Sequence, residues 1–154
     1  MHPDRAKLVW YDCRQRLADL PVESPPTPYQ LNLAGSALEA ANLHLQTCEA
    51  GPATATTSSM INCYADTAIT LIDMLCQHQK SQLAILVMAG ASAMLEHLAR
   101  IDRTTETALF ACRRLTHESS RRIRRADLQT PPSAATTYLR VPSTEQSAGA
   151  SKRS

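Results

Sequence analysis

Several residue types are scarce in this chain of 154 residues, and their scarcity excludes some classes of structure. Aromatic residues make up only 4% of the chain, and it has four glycines. Sheets draw on aromatic and β-branched side chains, so a hydrophobic fraction of 44% built from aliphatic residues favours helices. Four scattered glycines cannot form the glycine-rich loop that cradles a nucleotide phosphate. An all-α protein is expected.

The five cysteines form no Cys-x-x-Cys motif, and their number is odd. They are Cys13, Cys48, Cys63, Cys76 and Cys112. The N-terminal residues, MHPDRAKLVW, carry charges where a secretion signal needs an apolar run. Both features favour reduced thiols over a disulfide framework. We therefore expect a cytoplasmic protein.

The most apolar stretch, LAILVMAGASAML, covers only residues 83–95 and is bounded by Gln82 and Glu96. Because a membrane helix needs about 20 predominantly apolar residues, this run predicts no membrane span. It predicts instead a helix whose small residues around Gly90 let another helix approach closely, from the same chain or from a second copy. The expected contact face consists of Val87, Gly90, Ala91, Met94 and Leu98.

The same stretch contains part of a hydrolase motif. Gly90 and Ser92 match the first two positions of the Gly-x-Ser-x-Gly nucleophile turn, but Met94 replaces the last glycine and no strand precedes it. Paired carboxylates are the other candidate for catalysis. Asp66 and Asp73 stand seven residues apart on one side of a predicted helix, and we expect them to form a solvated stripe opposite the core. No enzyme activity and no cofactor are expected.

Apolar residues recur with a helical period in four segments. The predicted helices cover residues 5–20, 29–49, 59–77 and a segment from 81 to beyond 115. The prolines of PVESPPTP, residues 21–28, end the first helix. The polar sequence QHQKS, residues 77–81, favours a tight antiparallel connection, with an unbroken helix as the alternative.

These segments predict a three- to four-helix bundle or an assembly of helical hairpins. Residues 1–28 form an N-terminal helix and a proline-rich linker, and residues 29–125 form the helical core domain. Residues 126–154 are rich in Ser, Thr, Ala and Pro and too poor in apolar residues to fold, so they predict a disordered tail. The tail contains one apolar island, TTYLRV, at 136–141.

One set of residues has the composition of a zinc site. His44 and Cys48 lie one helical turn apart, and Cys76 and His78 lie beside the predicted connection between the third and fourth helices. Together they make a Cys₂His₂ set, which suits tetrahedral zinc. However, Cys-x-His is not the usual ligand spacing, and Cys48 already belongs to an apolar stripe. No metal is expected, with this set as the alternative.

Arginine is concentrated near the end of the helical region. Residues 103–125 hold seven Arg against two Glu, and the candidate anion-binding residues are Arg113, Arg114, Arg121, Arg122, Arg124 and Arg125. The planar guanidinium fork suits phosphate. No aromatic residues that could stack on bases interrupt this cluster. We expect this cluster to be a solvated helix end, with Glu118 pairing along the surface. The alternatives are that it binds an acidic protein surface or a nucleic-acid backbone.

Without a catalytic set, the sequence favours a binding function. We expect a small interaction protein, a stoichiometric regulator or adaptor that binds a partner protein through helical apolar faces, with a homodimer as one arrangement. The alternative is a nucleic-acid-associated protein that uses the arginine cluster.

Overall fold

The computed structural model describes residues 3–22, 25–48, 55–101 and 104–129. This part of the chain contains five α-helices and no strand, so the all-α prediction is confirmed. The helices are α1 (Pro3–Asp19), α2 (Pro28–Cys48), α3 (Ala55–Gln77), α4 (Ser81–Ala99) and α5 (Thr105–Gln129). Most of the predicted tail, including the island at 136–141, lies outside the described residues. Its first four residues, 126–129, belong to α5.

Helix α2 begins at a capping box in the proline-rich linker. The hydroxyl of Thr27 accepts a 3.1 Å hydrogen bond from the amide of Gln30, and the amide of Thr27 donates a 2.8 Å bond to Oε1 of Gln30. Pro28 then occupies the first helical position, where its missing amide hydrogen costs nothing. The linker therefore ends one helix and starts the next.

The tight connection predicted between the third and fourth helices is confirmed. Gln79 has a φ of 59° and is the only non-glycine residue with positive φ in the described segments. Its amide donates to the carbonyl of Cys76, and the amide of Lys80 donates a 2.9 Å bond to Leu75. This is the Schellman motif that closes a helix C-terminus, so the chain reverses without Gly or Pro.

The prediction of one helix from Ser81 past Leu115 is wrong, and the expected three or four helices are therefore five in the described part. The hydroxyl of Thr104 donates a 2.6 Å hydrogen bond to the carbonyl of Leu98, and that of Thr105 donates a 2.8 Å bond to Ala99. The last carbonyls of a helix lack their usual intrahelical donors. The Thr105 hydroxyl supplies a donor to Ala99, and the Thr104 hydroxyl adds one to Leu98, which also accepts from the amide of Ile101. Two adjacent threonines thus stabilise a break that the apolar periodicity does not show.

Helix α3 contacts most of the other helices. It packs against α2, α4 and α5, while α4 also packs against α5 and α1 packs against α2. Two ion pairs join α5 to α3: Arg114 pairs with Asp66, and Arg122 pairs with Asp73. Because both residues of the second pair lie further along their helices, α3 and α5 run parallel.

The core is mainly aliphatic, as the scarcity of aromatic residues predicts, and Trp10 and Tyr64 are its buried aromatic side chains. Large side chains at its centre come from four helices: Leu45, Ile61, Ile72, Leu95 and Leu115 are fully buried. Alanines fill the spaces between helices, and Ala41, Ala65, Ala68, Ala84 and Ala108 have no exposed surface. Small side chains at these positions let the helix axes approach closely.

Candidate interaction surfaces of α4 and α5

The predicted contact face of α4 mostly packs inside the protein. Ala91 and Leu98 are each only 2% exposed, and Val87 and Met94 pack against the same core. Only Gly90 lies on the outside. Most of the apolar stripe detected in the sequence is therefore in contact with the chain's own helices: Ala91 and Leu98 are buried, and Val87 and Met94 are half-buried.

A second apolar face of α4 points away from the core. Leu83, Ile85 and Leu86 are 47%, 42% and 67% exposed. Ala89, Gly90 and Ala93 continue this face and are exposed as well. We call these six residues the outward face of α4. A methyl group built at Gly90 would meet no atom within 4 Å, so nothing in the described chain uses the close approach that this glycine allows.

Helix α4 is long and apolar enough to cross a membrane, judged by length and composition alone. The uninterrupted apolar run at 83–95 is too short to span a membrane, but the whole helix Ser81–Ala99 is long enough. Only 22% of the apolar window of α4 is buried. A core helix of a soluble protein is mostly buried, so the low burial shows how much apolar surface α4 leaves uncovered.

The arginines of α5 fall into two groups. Arg114 pairs with Asp66, and it donates a 3.3 Å hydrogen bond to the carbonyl of Asn62. Arg122 lies 3.3 Å from Asp73 and 2.6 Å from Glu118. Asp66 and Asp73 are partly exposed, as expected of a solvated stripe, with 53% and 44% of their side chains accessible. They do not lie opposite all packing, because both carboxylates bind arginines of α5.

The other four candidate arginines lie on exposed positions of α5. Arg121 is 3.6 Å from Glu118, with half of its side chain exposed. Within the described ranges, no carboxylate lies within ion-pair distance of Arg113, Arg124 or Arg125. Their charges therefore remain available, whereas Arg114 and Arg122 already neutralise acidic groups.

A shallow cavity of about 480 Å³ runs along the exposed side of α5. Its described lining residues are Cys112, Arg113, Thr116, His117, Ser120 and Arg124. We call this cavity the outer trough of α5. The lining contains two guanidinium groups, an imidazole and two hydroxyls but no carboxylate, so its chemistry suits an anion rather than a cation.

The structure separates His44 from His78, two of the four candidate zinc ligands. Nε2 of His78 contacts the carbonyl oxygen of Pro26, just before α2 begins. His44 is buried sixteen residues into α2, which corresponds to a rise of about 24 Å. The side chain of Cys48 lies outside the described residues. No group of three or more metal-ligating side chains occurs in the described part of the chain.

The buried thiols are poor nucleophiles. Burial raises the pKa of Cys76, and the carboxylates of Asp73 and Asp127 raise it further. Burial also raises the pKa of Cys13, with Asp12 acting in the same direction. Since the thiolate is the reactive form, both side chains stay protonated near neutral pH. They serve as small apolar groups of the core.

Sequence reasoning missed the outward face of α4 and the exposure of Phe110. The sequence does contain a signal for the first, because α4 is apolar on every side of its first three turns. Phe110 stands three residues before Arg113, which places both on one side of a helix. The described structure shows Phe110 to be 63% exposed.

Comparison of the chain with protein-family models, with curated proteins and with solved structures finds no match in any of the three.

Proposed function

We propose that this protein is a cytoplasmic, non-enzymatic interaction module: a helical bundle that acts as a regulator or adaptor by binding another protein molecule through α4. The observation that supports this proposal is the outward face of α4, where Leu83, Ile85 and Leu86 are 42–67% exposed. A contiguous exposed apolar patch is typical of a binding surface, because burying it releases ordered water.

The pattern of this face suits another helix. Glycine inside a helix costs about 0.8–1 kcal/mol relative to alanine, and no described residue of the chain packs close enough to Gly90 to need it. A helix crossing at Gly90 would recover that cost through close backbone packing. Ala89 and Ala93 also have small side chains, so the surface that allows a close approach extends about one helical turn beyond Gly90.

The occupant that fits best is a second copy of this chain. The bulky residues of the outward face lie in its N-terminal half and the small ones in its C-terminal half. When two such helices pack antiparallel, the leucines of each copy lie over Gly90 and Ala93 of the other. In a dimer with two-fold symmetry the same contact forms at both ends of the interface, so we propose a homodimer through α4.

Sedimentation velocity of the full chain tests this proposal. We expect the wild-type chain to dimerise with increasing concentration, and Leu86→Glu to remain monomeric because a buried carboxylate would lack a partner. The matched control is Leu8→Glu on α1, since Leu8 and Leu86 are both 67% exposed. This control should dimerise as the wild type does.

Two results would contradict the homodimer. A wild-type chain that stays monomeric at every concentration excludes the second copy as occupant. Binding of the wild-type monomer to neutral lipid vesicles, lost in Leu86→Glu, would make the membrane the occupant instead.

A second candidate function is binding of nucleic-acid phosphates by α5. The observation that favours it is the separation of the arginines: Arg114 and Arg122 are paired with carboxylates, whereas Arg113 and Arg124 line the outer trough without one. Phosphate contacts by arginine release counterions from nucleic acid, so the affinity should fall steeply with salt.

Fluorescence anisotropy with a labelled DNA duplex tests this second function. Replacing Arg113 and Arg124 together with Gln should weaken binding and reduce the slope of log affinity against log salt by about two. The charge-matched control replaces Arg5 and Lys7 of α1 with Gln and should leave binding unchanged. A wild-type chain that does not bind at low salt would exclude this function.

A further inference from the structure

We infer that the outer trough of α5 binds single-stranded nucleic acid, with phosphates on its arginines and one base stacked on Phe110. This inference rests on the second candidate function, the binding of nucleic-acid phosphates by α5. It adds which form of nucleic acid is bound and which residue selects it.

The exposure of Phe110 is the first argument. It is the only phenylalanine of the chain. It is 63% exposed in the second turn of α5, next to the 41% exposed Leu109 and before the polar residues of the trough. Burying a phenylalanine side chain stabilises a protein, and the described chain leaves most of that stabilisation unused. A base would cover the ring.

The position of Phe110 relative to the trough is the second argument. Phe110, Arg113, His117 and Arg124 follow one another at steps of three, four and seven residues, which keeps them on one side of the helix. The trough thus begins about one turn beyond the ring. The expectation that no aromatic residue lies near the arginine cluster is wrong, because Phe110 lies about one turn before Arg113.

The spacing of the trough residues suits a strand rather than a single phosphate. Arg113 and Arg124 are eleven residues apart, a rise of about 16 Å along α5. His117, Thr116 and Ser120 place further donors between them. One phosphate cannot contact both arginines. Successive phosphates of an extended strand can each bind a different donor along the trough.

A single strand fits this surface better than a duplex does. In a duplex both faces of each base are already stacked on neighbouring pairs, so an exposed phenyl ring gains no contact there. Unstacked bases of a single strand can stack on an aromatic side chain beside a basic groove, a combination that binds with little sequence preference. Phe110 and Arg113 form such a combination at one end of the trough.

Anisotropy with three labelled probes tests the inference on the full chain: a thymine oligonucleotide, a duplex of the same length, and poly-glutamate. Phe110→Leu keeps an apolar side chain but removes the ring. It should weaken binding to the single strand about fivefold to tenfold and leave binding to the duplex unchanged. Phe110→Trp should bind the single strand at least as tightly as the wild type.

Two further variants complete the design. The matched control Tyr11→Leu removes another exposed aromatic ring, 54% exposed on α1, and should change nothing. The double variant with Gln at Arg113 and Arg124 should lose affinity for the single strand and for the duplex alike. If Phe110→Leu fails to fold, Phe110→Gln replaces it: it also removes the ring, its polar side chain suits a position that is 63% exposed, and the same loss for the single strand alone is expected.

The failures of this inference and of the second candidate function are distinguishable. If Phe110→Leu binds the single strand as the wild type does while the double arginine variant loses both nucleic acids, the stacking role is overturned and phosphate binding stands. If poly-glutamate binds as tightly as the oligonucleotide and Phe110→Leu has no effect, the occupant is an acidic protein segment. If no oligonucleotide binds at low salt, both proposals fail.

Discussion

The indole nitrogen of Trp10 donates a 3.1 Å hydrogen bond to the hydroxyl of Thr67, which lies 57 residues further along the chain. The same hydroxyl accepts a 3.3 Å bond from Arg14 and donates a 2.7 Å bond to the carbonyl of Cys63. The guanidinium of Arg14 also lies 5.4 Å from the centre of the Trp10 ring. One threonine of α3 therefore anchors α1, whose main packing partner is α2.

Thr67→Val should destabilise the protein because it leaves the buried indole N–H of Trp10 without an acceptor. We expect the free energy of unfolding to fall by about 1–3 kcal/mol. Denaturant unfolding followed by the fluorescence of Trp10, the only tryptophan, measures this directly. Thr67→Ser keeps the hydroxyl and should lose less. Because valine keeps the methyl group of threonine, unchanged stability in Thr67→Val would show that the hydrogen bond contributes nothing.

Ser119→Ala should stabilise the protein. The Ser119 side chain is fully buried in α5, and its hydroxyl has no hydrogen-bond partner among the described residues. Removing an unsatisfied buried hydroxyl should raise the free energy of unfolding by about 1 kcal/mol. The reverse change at an equally buried site of the same helix, Ala111→Ser, should lower it. A loss of stability in Ser119→Ala would mean that the hydroxyl is satisfied in solution.

Gln79→Gly should also raise the free energy of unfolding. Gln79 adopts a left-handed backbone conformation, which costs a residue with a Cβ atom about 1 kcal/mol and costs glycine little. Thermal unfolding should therefore give a higher Tm. The same substitution at Gln82, inside the regular helix α4, should lower the Tm. A lower Tm in Gln79→Gly would contradict the Schellman geometry.

The stability of the protein should fall between about pH 10 and pH 12 because of Tyr64. Burial raises the pKa of Tyr64 to about 12, whereas an unfolded tyrosine titrates near pH 10. In this range the unfolded chain loses the proton while the folded chain keeps it, so rising pH favours unfolding by up to about 3 kcal/mol.

Denaturant midpoints measured from pH 9 to pH 12, a range set by those two pKa values, test this dependence. Tyr64→Phe should flatten the decline, and Tyr11→Phe, at an exposed tyrosine, should not. A decline of equal size in the wild type and in Tyr64→Phe would assign it to other groups.

Substitutions at Gly90 should affect the stability of the monomer and the association of two copies differently. In Gly90→Ala the added methyl group has open space around it and improves helix propensity, so the monomer should gain about 0.8–1 kcal/mol. Gly90→Leu should weaken dimerisation, because it fills the place where the second copy packs. The control Gly35→Ala, in α2 and with equally open surroundings, should affect stability alone. Dimerisation of Gly90→Leu at wild-type strength would contradict the proposed crossing point.

Much of the fold follows from the sequence. The periodicity of apolar residues locates α1, α2 and α3 to within a few residues, because a helix buries one side and repeats every 3.6 residues. The break between α4 and α5 does not follow from it, since the apolar stripe continues through Ile101 and Thr105. Side-chain hydrogen bonds of Thr104 and Thr105 decide that break.

The candidate surfaces are harder to predict. Periodicity cannot select the buried side of α4, because this helix is apolar all round. The predicted contact face contained Ala91 and Leu98, which are buried in the core. It did not contain Leu86, which is exposed. The arginines of α5 present the same problem, since their pairing with Asp66 and Asp73 depends on where α3 lies.

The amino-acid sequence by itself determined that this chain is helical, with an aliphatic core and an excess of arginine near its last helix, because composition and periodicity act locally. Only the tertiary structure decided which apolar side of α4 stays exposed and which arginines remain unpaired. Those outcomes depend on helices brought side by side from distant parts of the chain, and side chains such as Trp10 and Thr67 have no relationship until that packing exists.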